Sequence, residues 1–242
     1  MTVELELRAA RVRYGPLEAL HGVDLLVPAA ALTVLTGRNG SGRTTVLRAL
    51  AGAVPLAHGR VLWRGEDVTR LPAHARARRG LAHVPAERAT YEGLSVAENL
   101  ELAARDGDPR PALDAYPPLR ALLRRRAGTL SGGEQRMLAV SRALLTRARV
   151  LLLDEPVRGM SPSVADRTYA LLRDSGAAVV TAEQRLPSRL DVHRSGAPVL
   201  VYELRRGAVV FRGEPGEPSP EPAPESHGRP RGVRPAPGGR PE

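Results

Sequence analysis

The sequence predicts an α/β fold with a mostly parallel core sheet, and three observations carry that expectation. An apolar run, residues 32–35, feeds the glycine-rich stretch Gly37-Arg38-Asn39-Gly40-Ser41-Gly42-Arg43-Thr44-Thr45, and a helical pattern leads out of it. Residues 150–153 are a short, wholly apolar run, as a central parallel strand requires. Similar runs at 81–84 and 177–181 are separated from it by helical patterns, the alternation of a layered α/β domain.

Each element has its own signal. Residues 3–14 alternate, with Leu5, Leu7 and Ala9 against Glu4, Glu6 and Arg8, and read as a strand. Strands follow at 20–27 and 31–36, then a helix to about residue 53. Residues 60–63 and Gly65-Glu66-Asp67 read as strand and turn. Pro72 suits the first position of a short Ala/Arg helix, where a missing N–H is harmless. The strand at 81–84 ends at Pro85. Residues 96–128 turn helical, with loop signals at Asp106-Gly107-Asp108-Pro109 and Tyr116-Pro117-Pro118. Ser131 is placed to cap a helix over about 132–146, and Glu134 completes a capping box in form. Ser161-Pro162 opens a helix to about residue 174. Residues 199–204, the turn Arg205-Arg206-Gly207 and residues 208–212 read as a hairpin. Beyond Gly213 almost no apolar residue remains, so residues 214–242 are expected to be a disordered tail on a domain of residues 1–213.

Composition bounds the function. The chain has 242 residues, 42% of them hydrophobic, enough for one well-cored domain and an extension. It has no Cys, which excludes disulfides, metal-thiolate sites and a Cys nucleophile. No apolar run reaches the roughly 18 residues of a membrane span. The first residues are acidic where a signal peptide is basic, so a soluble, cytoplasmic chain is expected. Any membrane role would come through a partner. The net charge of +10 raises an anionic partner. Yet the chain has no Lys, no Ile, one Phe and two Asn, and all 36 basic residues are Arg. That bias reads as GC-rich coding pressure on the whole chain, and nucleic acid is not the expected partner. It also offers a plain account of Arg43, as drift from Lys.

Two stretches carry chemistry. In a strand–glycine loop–helix, successive backbone N–H groups curl around an anion and the helix start adds its dipole. Residues Gly37, Asn39, Gly40, Ser41, Gly42, Arg43, Thr44 and Thr45 are the candidate phosphate cradle, and Thr44 is placed as a Mg²⁺ ligand. The loop pattern wants Lys where Arg43 stands. The apolar strand 150–153 ends in Asp154-Glu155-Pro156. Asp154 at a strand's carboxyl end suits the Mg²⁺ shell, and Glu155 suits a water-polarising base.

Leu130-Ser131-Gly132-Gly133-Glu134-Gln135 resembles the signature of ATP-binding cassette (ABC) proteins, and Val150 to Pro156 resembles their Walker B strand. Loop, signature and paired acids in this order identify the chain as similar to an ABC transporter ATP-binding subunit. The family fold then implies an antiparallel β layer and a small helical subdomain, about residues 96–146, beside the parallel core. By the same resemblance Tyr14 stacks on adenine, and Gln184, in Thr181-Ala182-Glu183-Gln184, stands in the switch loop. Ser131, Gly132, Gly133 and Gln135 face ATP held by a second cassette. Residues 157–162 form the loop that crosses between cassettes. Ala86, in Val84-Pro85-Ala86-Glu87-Arg88, stands where the family carries a Gln or Glu, and Glu87 is the nearest substitute. Leu94-Ser95-Val96-Ala97-Glu98-Asn99-Leu100, Arg126-Ala127-Gly128-Thr129 and Glu183-Gln184 are most similar to ATPase subunits of branched-chain amino acid importers.

The resemblance implies ATP and Mg²⁺ as cofactors and ATP hydrolysis coupled to import. It implies a second ATPase subunit, with a heterodimer favoured, and membrane-spanning permease subunits. A solute-binding protein would act indirectly, and the chain would lie on the inner face of the cell membrane. Arg43 and Ala86 depart from the pattern and leave hydrolysis at the chain's own site open. A degenerate regulatory subunit, or a soluble ABC ATPase of DNA repair or translation, are the alternatives.

Overall fold

A computed structural model describes residues 2–186 and 197–217. Ten strands form two sheets. The first is an antiparallel layer of β1 (Val3–Tyr14), β2 (Leu17–Pro28), β4 (His58–Trp63) and β5 (Glu66–Asp67), in the order β2-β1-β4-β5. The second contains β3 (Leu32–Thr36), β6 (Leu81–Val84), β7 (Val150–Asp154), β8 (Ala178–Glu183), β9 (Val199–Arg205) and β10 (Ala208–Gly213). Its order is β10-β9-β3-β8-β7-β6, parallel throughout except for the β9–β10 hairpin.

Period-two alternation splits the core between the two faces of this sheet. Leu35, Val150, Leu152, Val180 and Ala182 pack with α1 (Arg43–Ala51) and the antiparallel layer. Val34, Leu151, Leu153 and Val179 pack with α3 (Val96–Glu101), α5 (Gly132–Leu145) and α6 (Pro162–Asp174). A sheet covered on both faces explains why its central strands read as unbroken apolar runs.

Several expectations need correction. Alternation in β1 breaks at Ala9, which has φ 45° and is exposed, while Ala10 is buried in its place. The register against β2 shifts there, as a bulge requires. Glu4, assigned to the polar face, is buried, because its carboxylate accepts Trp63 Nε1 at 2.9 Å and Arg64 Nε at 2.8 Å. Pro72 is the N-cap of α2 (Ala73–Arg78), not its first helical residue. Residues 96–128 hold only short pieces: α3, α4 (Arg110–Ala115) and 3₁₀ turns at Pro117–Leu122 and Ala127–Thr129. Prolines at 109, 117 and 118 prevent a longer helix. Thr181 ends the expected strand, but β8 runs on through Ala182 and Glu183, which belong to it and not to a loop because pairing with β3 continues to Glu183. Of the expected tail, residues 214–217 form a turn and residues 218–242 lie outside the described residues.

One buried cation ties the phosphate-loop helix to its surroundings. Arg76, 1% exposed, donates to the carbonyls of Ala49, Leu50, Val68, Thr69 and Leu71. Ala49 and Leu50 lie in the last turn of α1, so the guanidinium joins the Gly52 N–H on the Ala49 carbonyl, adds a donor to the Leu50 carbonyl and lies at the negative end of the helix dipole. Burial lowers the Arg76 pKa to about 10, still far above neutrality.

Candidate functional site

The glycine-rich loop joins the end of β3 to α1. Its glycines serve two purposes. A Cβ on Gly37 would lie 2.3 Å from the Leu204 carbonyl oxygen, and one on Gly42 would lie 2.9 Å from Leu20, so both allow close packing. At Gly40, with φ 77°, a Cβ would meet nothing within 4 Å, because that side of the loop is open. Gly42 caps α1 in a left-handed conformation and no side chain occupies the helix start. The open side borders a cleft of about 490 Å³ lined by residues 40–45, Tyr14, Leu17, Glu18 and Arg206. Tyr14 is 41% exposed there, so the structure brings the expected ring and loop together. Asn39 is exposed and Thr45 buried.

Beneath the loop lie charges. Asp154 ends β7 and is buried, and Oδ2 has no hydrogen-bond partner. Burial pushes its carboxyl above the usual carboxylate range, while the Thr44 hydroxyl and Arg43 favour its ionised form. Arg43 is itself buried, with Nη1 unpartnered, as is Ser41 Oγ. Three buried polar atoms without partners beside an open cleft are what a phosphate chain and its cation would satisfy. Glu155 follows in a left-handed conformation, φ 49°, with its N–H donating to the Ala182 carbonyl at 2.9 Å. Its Oε2 accepts Arg158 Nη1 at 3.2 Å and its Oε1 accepts Gln184 Nε2 at 3.4 Å.

The signature residues lie elsewhere. Ser131 caps α5 in a full capping box: its hydroxyl accepts Glu134 N–H at 3.3 Å, and Glu134 Oε2 accepts Ser131 N–H at 2.8 Å. Gln135 Nε2 donates to Leu130 O at 3.3 Å. Gly132 and Gln135 line a second cleft of about 490 Å³ together with Ala86, Glu87, Arg136 and Arg158. None of residues 131–135 lines the phosphate-loop cleft. The chain's own signature and own loop therefore open onto different spaces.

Sequence reasoning passed over three residues here. Arg136 is buried, donating to Pro85 O at 2.9 Å and also to Ala86 O, so it ties the Ala86 segment to α5. Its place on the apolar helical face with Val140 and Ala143 was a readable signal. Arg142 adds a bond to Ala89 O at 2.9 Å and lies 4.4 Å from the Tyr91 ring centroid. Glu183 accepts the Tyr169 hydroxyl at 2.6 Å. Burial pushes its carboxyl up to about 7, against the Tyr169 bond that favours the charged form.

Known proteins are similar to this chain over most of its length. The ABC transporter family model matches residues 20–158. The probable branched-chain amino acid transport ATP-binding protein LivF of Archaeoglobus fulgidus is 37% identical over 84% of this chain and 89% of its own length. For the high-affinity branched-chain amino acid transport ATP-binding protein BraG of Pseudomonas aeruginosa the values are 36%, 82% and 87%. The lipopolysaccharide export system ATP-binding protein LptB of Escherichia coli is 33% identical over 84% of this chain and 88% of its own. The dimeric structure of a bacterial ABC transporter cassette superposes with a TM-score of 0.75 at 21% identity, covering 87% of this chain and 98% of that one. The family model spans the loop, the signature and the paired acids, the relatives are matched over more than four-fifths of their length, and the chain belongs to the ABC transporter family as an ATP-binding subunit.

Proposed function

We propose that the chain is an ATP-hydrolysing subunit of an importer for branched-chain amino acids or a similar small solute. The observation that carries this reading is the likeness at 37% and 36% identity, over more than four-fifths of the chain, to two branched-chain amino acid transport ATP-binding proteins. In this reading Tyr14 stacks on adenine, and Gly37, Asn39, Gly40, Ser41, Gly42, Arg43, Thr44 and Thr45 hold the phosphates. Thr44 and Asp154 hold Mg²⁺, a two-ligand set that suits a cation otherwise held by phosphate oxygens and water. Bound Mg²⁺ supplies charge neutralisation at those oxygens. Glu155 orients water in line with the γ-phosphorus and takes its proton, and Gln184 steadies Glu155.

Ser131, Gly132, Gly133 and Gln135 complete the site of a second cassette, which is supported by their separation from the chain's own loop cleft. Permease subunits would anchor the pair at the inner face of the membrane, and a solute-binding protein would deliver solute to them. Among the described residues no helix is long and apolar enough to cross a membrane. The second reading is a subunit with little hydrolysis of its own. It is favoured by Arg43, whose planar guanidinium does not reproduce a Lys point charge, and by Ala86, which has no side-chain oxygen. The test is ATPase activity and solute uptake of vesicles carrying this chain, the permeases, a solute-binding protein and a second ATPase subunit whose own catalytic Glu is changed to Gln. Leucine-stimulated hydrolysis supports the first reading. Stimulation by a lipid or metal solute alone refutes it.

A further inference from the structure

We propose that Arg158 is a positioning residue that holds Glu155 in a resting state and links it to the signature turn of the same chain. Both Glu155 oxygens already accept donors, Oε2 from Arg158 at 3.2 Å and Oε1 from Gln184 at 3.4 Å. The Glu155 side chain is 14% exposed, whereas that of Arg158 is 67% exposed. The carboxylate is thus fixed by a cation that is free to leave. The two residues share one tight turn, in which Arg158 N–H donates to Glu155 O at 3.2 Å and Met160 N–H to Val157 O at 3.1 Å. Next in the chain, Gly159 packs directly on the signature: a Cβ on Gly133 would lie 2.6 Å from the Gly159 carbonyl oxygen. Only backbone fits in that contact, so displacement of the signature turn is passed to Gly159 and to Arg158 beside it.

This rests on the reading of Glu155 as the acceptor of the water proton. In that step water oxygen bonds to the γ-phosphorus, the bond to the bridging oxygen breaks to release ADP, and the water proton passes to a Glu155 oxygen. Each oxygen keeps a second lone pair, but donors on both oxygens fix the orientation of the carboxylate, so turning it toward the water requires one donor to leave. Arg158 is the donor on the mobile side of the pair, and an exposed ion pair of this kind is weak enough to be displaced. Engagement of the signature with a second cassette would move the turn and release Glu155.

Two measurements on the full chain test this. Carbodiimide with a small amine, read by peptide mass spectrometry without nucleotide, reports how accessible the Glu155 carboxylate is. Arg158→Leu should speed Glu155 labelling by roughly two- to fivefold, and Arg158→Lys should stay near wild type. Equal labelling in Arg158→Leu and wild type overturns the clamp. In an Arg43→Lys background, Arg158→Leu should raise kcat roughly two- to tenfold with KM for MgATP unchanged, and Arg158→Lys should restore the lower rate. A fall in kcat overturns the resting-state role. Glu155→Gln with kcat unchanged would instead refute the role given to Glu155, while the labelling result still reports on the ion pair itself.

Discussion

Around the phosphate loop the side chains Ser41, Arg43 and Asp154 each keep a buried polar atom without a partner, whereas every polar side chain from Ser131 to Arg136 is hydrogen-bonded. The two halves differ in kind. The loop half carries uncompensated polarity, a cost borne when empty and offset when phosphate and cation arrive. At the signature turn the polar groups are paired within the chain, by the capping box, the Gln135 bond to Leu130 and the Arg136 bonds to the Ala86 segment. Arg43 lies on the loop side of this division, whereas Ala86 lines the cleft of Gly132 and Gln135 and is tied to α5 by Arg136.

The largest effect expected from this contrast is at Arg43. Arg43→Lys should raise the ATPase rate of the chain by on the order of 10- to 10³-fold if misplaced charge is the defect. An unchanged near-zero rate would extend the defect to Ala86, and a wild-type rate equal to that of Arg43→Lys would erase the contrast. Glu183 gives a pH signature to the loop half. Its carboxyl titrates near 7 in the fold and near 4.5 when unfolded. The folded chain therefore holds the extra proton between those values, stability falls as pH rises through that window, and the cost is fully present above about pH 7. Glu183→Gln keeps an acceptor for Tyr169 and removes the charge. It should add about 3 kcal/mol at pH 8 and little at pH 4.5, read as a Tm gain of several degrees at pH 8 alone.

Tyr14→Ala should weaken ATP binding by about 1–3 kcal/mol in a titration, with Tyr14→Phe nearly silent. Equal loss in both would replace stacking with a role for the hydroxyl. On the signature side, Ser131→Ala should cost about 0.5–2 kcal/mol of stability, the value of one helix cap, in chemical denaturation. A negligible loss would mean that the turn does not depend on its capping box.

The sequence made some of this legible and hid the rest for physical reasons. The loop between β3 and α1, the acids ending β7 and the Ser131–Glu134 box are local, each written within a few consecutive residues, and each stands where expected. Arg76 reads as one more Arg on an Ala/Arg helix. Only the fold reveals that five carbonyls from two segments converge on it. The burial of Glu4 depends on Trp63, some sixty residues away, and the Ala9 bulge depends on the close approach of Gly59 from β4. Pairing with β3, distant in sequence, likewise makes Ala182 and Glu183 strand. Arg158 was the nearer miss, because its spacing of three from Glu155 was readable while its contact with the signature through Gly159 was not.

If the contrast between the halves carries into a pair with a second ATPase subunit, the signature half of this chain completes the partner's site and does more for turnover than its own loop half. The ATPase rate of such a purified complex decides this, measured with Ser131→Arg here, Glu155→Gln here, or the matching Glu change in the partner. Ser131→Arg should abolish most turnover, and Glu155→Gln here should cost much less than the partner's change. Loss of nearly all activity from Glu155→Gln in this chain alone would make its own site the working one.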